Sequence, residues 1–191
     1  MHRIAPNRGF TLIELLITIA IAVVLVTLAV PSMKAMIEGN AVNNHVTTFV
    51  SDLRYARSEA IKAGVPVVMC RSSNSESAAP TCTTAGGSEW KTGWLIFVNR
   101  DLNSINTYSS TGGDTLLRVQ AEYKDSGGIA PATTVDKFIF RPTGLMSAGA
   151  STVTFNSFTL NGSRQQVICV SMQGRARKLK DSTSACNSTD A

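Results

Sequence analysis

Histidine is nearly missing from this 191-residue sequence: His2 and His45 are the only two. His2 lies in the N-terminal leader and His45 in a helical stretch far from it, so no second histidine is available for a metal pair. The four cysteines form no Cys-x-x-Cys motif, which argues against a zinc site. The glycine pairs 86–87, 112–113 and 127–128 read as turns, and none is followed by the Lys-Ser/Thr of a phosphate-binding loop. Serines are plentiful, but G-x-S-x-G does not occur. Nothing in the sequence argues for an enzyme, and no cofactor is implied. Internal repeats are lacking too. From 164 to 180 there is neither an acidic nor an aromatic residue.

What is present begins with a long apolar run. From Phe10 to Val30 the only polar side chains are Thr11, Glu14, Thr18 and Thr27. As a helix at about 1.5 Å per residue this run reaches roughly 31 Å, the thickness of a bilayer's hydrocarbon core. A single membrane span is the expected reading. Residues 1–9, with Arg3 and Arg8, form a basic leader ending in Gly9. A secretory signal places its small residue after the apolar stretch, whereas here Gly9 precedes it. Cleavage after Gly9 would remove the charges and keep the helix. The arginines would hold that end in the cytoplasm, and the remainder would be exported. Glu14 is costly inside such a run, which marks it as functional.

Export to an oxidising compartment gives the cysteines a use. Four cysteines allow three pairings, and the spacings favour two local loops, Cys70–Cys82 and Cys169–Cys186. The formal charge of +5 is also unevenly placed. Five basic residues, Arg164, Arg175, Arg177, Lys178 and Lys180, fall in the acid-free stretch, so the rest of the mature chain is slightly acidic. If the chain stays extended past Gly174, Arg175 and Arg177 project to one side, about 6.6 Å apart. Guanidinium groups suit bidentate phosphate contact, with Lys178, Lys180 and Arg164 in support. Without aromatics the expected mode is backbone binding, independent of sequence and sensitive to salt.

Beyond Val30 the apolar residues narrow to a stripe. Val42, Val46, Phe49, Val50, Leu53, Ala56 and Ala60 recur at spacings of three and four, as on one helix face. Gly64 and Pro66 end the helix, and Pro31 and Gly39 are expected to bend or loosen it. His45 reads as a solvated or helix-packed residue. After Gly64 come short apolar runs between turn residues. Strands are expected in 65–70, 93–101, 115–123, 136–144, 151–160 and 165–173, with mobile polar loops at 71–89 and 102–114. Trp90 and Trp94 read as core. The fold class is α+β: a long N-terminal helix, transmembrane first and amphipathic later, packed on a small antiparallel sheet. The expected divisions are 1–9 leader, 10–30 membrane helix, 31–64 amphipathic continuation and 65–191 β-rich domain.

"GFTLIELL" after a short basic leader resembles the processing site of type IV prepilins and type II secretion pseudopilins. The stretches "DLRYARSEAI" (52–61), "WKTGWLIFVNRD" (90–101), "FIFRPTGL" (138–145) and "GRARK" (174–178) are similar to the GspH/FimT group of minor pilins and pseudopilins. The resemblance implies a pilin-like fold. It also implies that a prepilin peptidase cuts after Gly9 and N-methylates Phe10. Glu14, then the fifth mature residue, would neutralise the terminal ammonium of a neighbouring subunit during assembly. Implied partners are other minor and major pilins, the inner-membrane assembly platform and the membrane itself. The Gly174-Arg175-Ala176-Arg177 sequence looks like the DNA-contacting motif of FimT-type minor pilins, which makes double-stranded DNA a further expected partner. A GspH-like pseudopilin of a type II secretion system, with no nucleic-acid role, is the alternative.

Overall fold

A computed structural model describes residues 10–83, 89–101, 107–159, 164–179 and 186. The leader with Gly9, the 86–87 glycine pair and Lys180 lie outside the described residues. The chain divides into two compact units, one ending at Ile37 and the other beginning at Glu38.

Helix α1 (Leu12–Ala63) contributes to both units. A Thr11-x-x-Glu14 pair caps its start. At its end Gly64 adopts φ 67° and donates its N–H to the Ala60 carbonyl at 3.1 Å, a left-handed stop natural to glycine. The helix is continuous through Pro31 and Gly39. A proline deletes one hydrogen bond of the ladder and leaves the rest. In the first unit the apolar side chains of α1 are exposed, and the helix is long and apolar enough to cross a membrane.

The second unit is built around the continuation of α1. Val42, Val46, Phe49, Leu53, Ala56 and Ala60 are buried there, joined by His45 and Asp52; Val50 is only partly buried. Nine strands follow among the described residues. Sheet one runs β3-β2-β1-β5-β6, with β1 (Val67–Arg71), β2 (Trp94–Val98), β3 (Thr115–Gln120), β5 (Lys137–Phe140) and β6 (Met146–Ala148). Sheet two runs β4-β7-β8-β9, with β4 (Ser126–Pro131), β7 (Ser151–Ser157), β8 (Gln166–Val170) and β9 (Ala176–Lys178). Every pairing is antiparallel. A one-turn 3₁₀ helix, Trp90–Thr92, leads into β2.

Two sheets replace the single one expected. Phe49 joins them: its ring meets Trp94 of β2, Phe138 of β5 and Phe155 of β7 edge-on, at centroid distances of 5.2, 5.7 and 5.5 Å. Such edge-to-face contacts add to the burial of each ring. Trp90 and Trp94 are both fully buried, as their reading as core residues anticipated.

Strands β4 and β6 escaped the sequence pattern. The β4 segment reads "SGGIAP", and glycine and proline ordinarily punctuate strands. It survives because it is an edge strand with a bulge. The register shifts between Ser126 and Gly128, and Gly127 approaches β7 so closely that a Cβ would lie 1.9 Å from the Ser157 carbonyl oxygen. Glycine tolerates that approach, and an edge tolerates Pro131. The glycine pair 127–128 is thus a strand feature and not the turn expected. The segment 136–144 is half strand and half turn, since β5 ends at Phe140. The start of the 71–89 loop is ordered, because Asn74 Oδ1 accepts from the N–H and hydroxyl of Thr81 at 2.9 and 3.1 Å.

Candidate functional site

Four regions carry residues singled out in the sequence: the start of α1, the two disulfides, and the β8–β9 hairpin with its surroundings. At the start of α1, Phe10 is exposed. Thr11 donates its N–H and its hydroxyl to Glu14 Oε2 at 3.3 and 3.2 Å. Glu14 returns its N–H to Thr11 Oγ1 at 3.3 Å. In the single subunit the carboxylate therefore satisfies the first backbone donor of its own helix and lies at the positive end of the helix dipole.

The disulfides are Cys70–Cys82 and Cys169–Cys186, with Cα separations of 5.6 and 5.3 Å. The second ties the chain beyond β9 back to β8. Cys169 lies opposite Arg177 in the β8–β9 register. Beside it, an open cavity of about 410 Å³ is lined by Thr133, Ser151, Gln173 and their neighbours, with no charged side chain among the described residues.

The β8–β9 hairpin turns through Ser171–Gly174. Gly174 N–H donates to the Ser171 carbonyl and Ser171 N–H to the Arg175 carbonyl, both at 2.9 Å. The β5–β6 hairpin repeats the pattern: Gly144 N–H donates to Arg141 and Arg141 N–H to Leu145, both at 2.8 Å. Each turn closes on a left-handed glycine, at φ 72° and 78°. The two turns, one from each sheet, are in contact. A Cβ on Gly174 would lie 2.7 Å from the Gly144 carbonyl oxygen and 3.4 Å from Arg57 Cδ. A Cβ on Gly144 would lie 2.9 Å from Ile61 Cδ1. Met146 N–H adds a 2.9 Å bond to the Met172 carbonyl.

This double turn fixes where the basic strand starts. Arg175, Arg177 and Lys178 are exposed, while Ala176 between the arginines packs on the core. Alternation along β9 places Arg175 and Arg177 on the same side. Arg164 does not join them. It precedes β8 at the far end of the hairpin and lies beside α1, its Cδ and Nη1 3.9 Å from a Cβ built on Gly39. Seven residues separate it from Ser171, about 23 Å of extended chain.

Instead, α1 brings two arginines that were not singled out in the sequence. Arg54 and Arg57, with Ser58 and Ile61, line the same open groove as Gly174, Arg175, Ala176 and Arg177, about 440 Å³ in volume. Arg57 Nη1 donates to the Gly174 carbonyl at 3.5 Å. The available signal was the 54-57-58-61 spacing, a second helix stripe beside the apolar one. It says nothing about which strand it will meet.

Two further polar groups of α1 are buried. Asp52 is fully inaccessible and accepts from Trp94 Nε1 at 2.8 Å and from Arg118, whose guanidinium also stacks 4.4 Å from the Tyr55 ring. His45 lies 3.1 Å from Asp125 Oδ1 and 4.0 Å from the Tyr123 ring centroid. Burial lowers its pKa from the ordinary 6.5, opposed by the charge of Asp125. Burial likewise raises the Tyr123 hydroxyl. These contacts are structural, and no cluster of three or more metal-ligating side chains occurs among the described residues.

Comparison with curated proteins returns no match. Two solved structures of the type IV minor pilin FimU from Pseudomonas aeruginosa share the fold. One superposes at a TM-score of 0.55 and 18% identity, covering 76% of this chain and 92% of that one. The other gives 0.51 and 17%, covering 76% and 94%. A prokaryotic N-terminal methylation motif matches residues 4–30. The family model described as Type II transport protein GspH matches residues 45–174, ending at the turn glycine just before Arg175. Spanning most of the sequence, with the methylation motif ahead of it, that match identifies the chain as a member of the GspH family of pilin-like proteins.

Proposed function

We propose that this chain is a minor pilin of a type IV pilus that also captures DNA. In this reading the peptidase cuts after Gly9 and methylates Phe10. The first half of α1 then holds the subunit in the inner membrane, with its globular unit in the periplasm, until it joins other minor and major pilins, at low copy, in a priming or tip complex. Glu14 would exchange its contact with Thr11 for the terminal ammonium of a neighbour, an opposite charge that offsets the cost of a carboxylate in lipid. Arg175 and Arg177 contact DNA phosphates, with Lys178 beside them.

The observation that carries the DNA reading is the exposed basic strand that follows the hydrogen-bonded Gly174 turn. Arg175, Arg177 and Lys178 are all exposed at an edge strand, and no aromatic residue is near enough in sequence to offer base stacking. The matched family model favours a second reading, a type II secretion pseudopilin with the same architecture and no nucleic acid.

The test uses the full-length processed chain in non-ionic detergent micelles, titrated with duplex DNA at about 50 to 200 mM salt, where each phosphate contact contributes roughly −0.9 to the slope of log affinity on log salt. Wild type should bind with a clear salt slope, and R175A/R177A should bind more weakly with a shallower one. Equal inertness of both proteins at low salt would overturn DNA capture and leave an assembly subunit, with the secretion pseudopilin back in contention.

A further inference from the structure

Four arginines line the groove between α1 and β9: Arg54 and Arg57 from the helix, Arg175 and Arg177 from the strand. No carboxylate lines it among the described residues. Of the two nearest acids on the helix, Asp52 is buried against Trp94 and Arg118, and Glu59 lies 3.5 Å from Lys62. Like charges gathered from two elements raise the local potential and draw in an anion. Arg54 is exposed and Arg57 half-buried, and the contact of Arg57 with the Gly174 carbonyl sets the width of the groove at that end.

Between the charges the lining is apolar. Ile61 is exposed, and Ala176, between the two strand arginines in sequence, is half-buried against the core. A lining that mixes arginines with apolar side chains suits a sugar–phosphate backbone, in which deoxyribose separates the phosphates. Ser58 supplies a hydroxyl that can bond a phosphate oxygen. Among the described residues no aromatic side chain lines the groove, so single strands gain no stacking platform. Duplex backbone is the better fit.

We infer that this groove is a two-sided clamp for one phosphodiester backbone of duplex DNA, with Arg54 and Arg57 of α1 as its second wall. The inference rests on the DNA-binding reading above and adds the helix to it. The strand arginines alone would touch the backbone from one side. With the helix arginines they hold it from two, and the subunit presents a fixed orientation to the duplex.

Arg54 is the informative position, because it is exposed while Arg57 also supports the turn. Arg54→Ala and Arg54→Glu would be compared with wild type and R175A/R177A in micelles, using a labelled duplex of about 30 base pairs, the matching single strand and poly-glutamate as competitor. Thermal unfolding of each variant checks that the fold is kept. Arg54→Ala should weaken duplex binding about fivefold and lower the salt slope by about one phosphate's worth, and Arg54→Glu should weaken it further. R175A/R177A should lower the slope by about two phosphates' worth. If the Arg54 variants bind as wild type while R175A/R177A is weakened, the clamp is overturned and DNA capture by the strand survives. If wild type does not bind duplex at low salt, both fall together. Poly-glutamate competing as well as duplex, charge for charge, would overturn a phosphodiester ligand and assign the groove to an acidic protein surface.

Discussion

At Asp52 a carboxylate with no solvent access is matched by two donors on different strands, Trp94 of β2 and Arg118 of β3. Removing one partner of such a group costs more than the interaction contributes, because the other is left unpaired. Arg118 is partly exposed and can rehydrate, but the Trp94 N–H cannot. Asp52→Ala is expected to destabilise the second unit by about 2–3 kcal/mol, read from the midpoint of denaturant unfolding. His45 gives a different signature. Its folded pKa lies below 6.5, so the unfolded chain binds the proton first. Stability is then full above the unfolded value and is lost as pH falls from about 6.5 towards the folded pKa. Of the titratable groups against the ring, Asp125 limits the size of that loss, while Tyr123 stays neutral across this range. In His45→Gln the fall in stability between about pH 7 and pH 5 should be smaller than in wild type. Parallel curves for the two proteins would remove His45 as the cause.

The decisive elements are the two glycine turns. Each closes a hairpin of a different sheet, and they meet under Arg57 and Ile61 of α1. Gly174→Ala combines a left-handed backbone with a Cβ 2.7 Å from a carbonyl oxygen. It should cost about 2–3 kcal/mol and shift β9 relative to the helix. Gly113 makes the control: it has φ 86° but open space around its Cβ position, so alanine there meets backbone strain alone, about 1 kcal/mol. Comparing the two melting temperatures separates strain from packing. The strand expected over 136–144 ran through the turn of "FRPTGL", although its Pro and Gly signal one. That its glycine would meet the glycine of "MQGRAR" was not visible, because 30 residues separate them in sequence.

For the molecule as a whole, the first unit of α1 exposes its apolar side chains along its length, so its partner is lipid or another helix. Glu14 already has a contact within its own subunit, to Thr11. If its role were only to cap α1, Glu14→Gln would behave nearly as wild type, since glutamine also completes a capping box. If it registers subunits by charge, both Glu14→Gln and Glu14→Val should be processed and reach the membrane but enter filaments poorly. Immunoblotting of sheared filaments against whole-cell protein measures this, and normal incorporation of both variants would sink the register.

The sequence by itself determined the features that depend on near neighbours. The length of the apolar run, the stripe from Val42 to Ala60 with its Gly64–Pro66 stop, and most strands follow from periodicity and turn chemistry over a dozen residues or fewer. Tertiary structure decided which elements share a surface. It split the strands into two sheets about Phe49, made an edge strand of "SGGIAP", and buried Asp52 against Trp94 and Arg118. It also set Arg164 apart while bringing Arg54 and Arg57 to the strand that carries Arg175 and Arg177. These outcomes depend on contacts between residues 40 to 120 positions apart, and local periodicity fixes the face of an element without naming the partner it will meet.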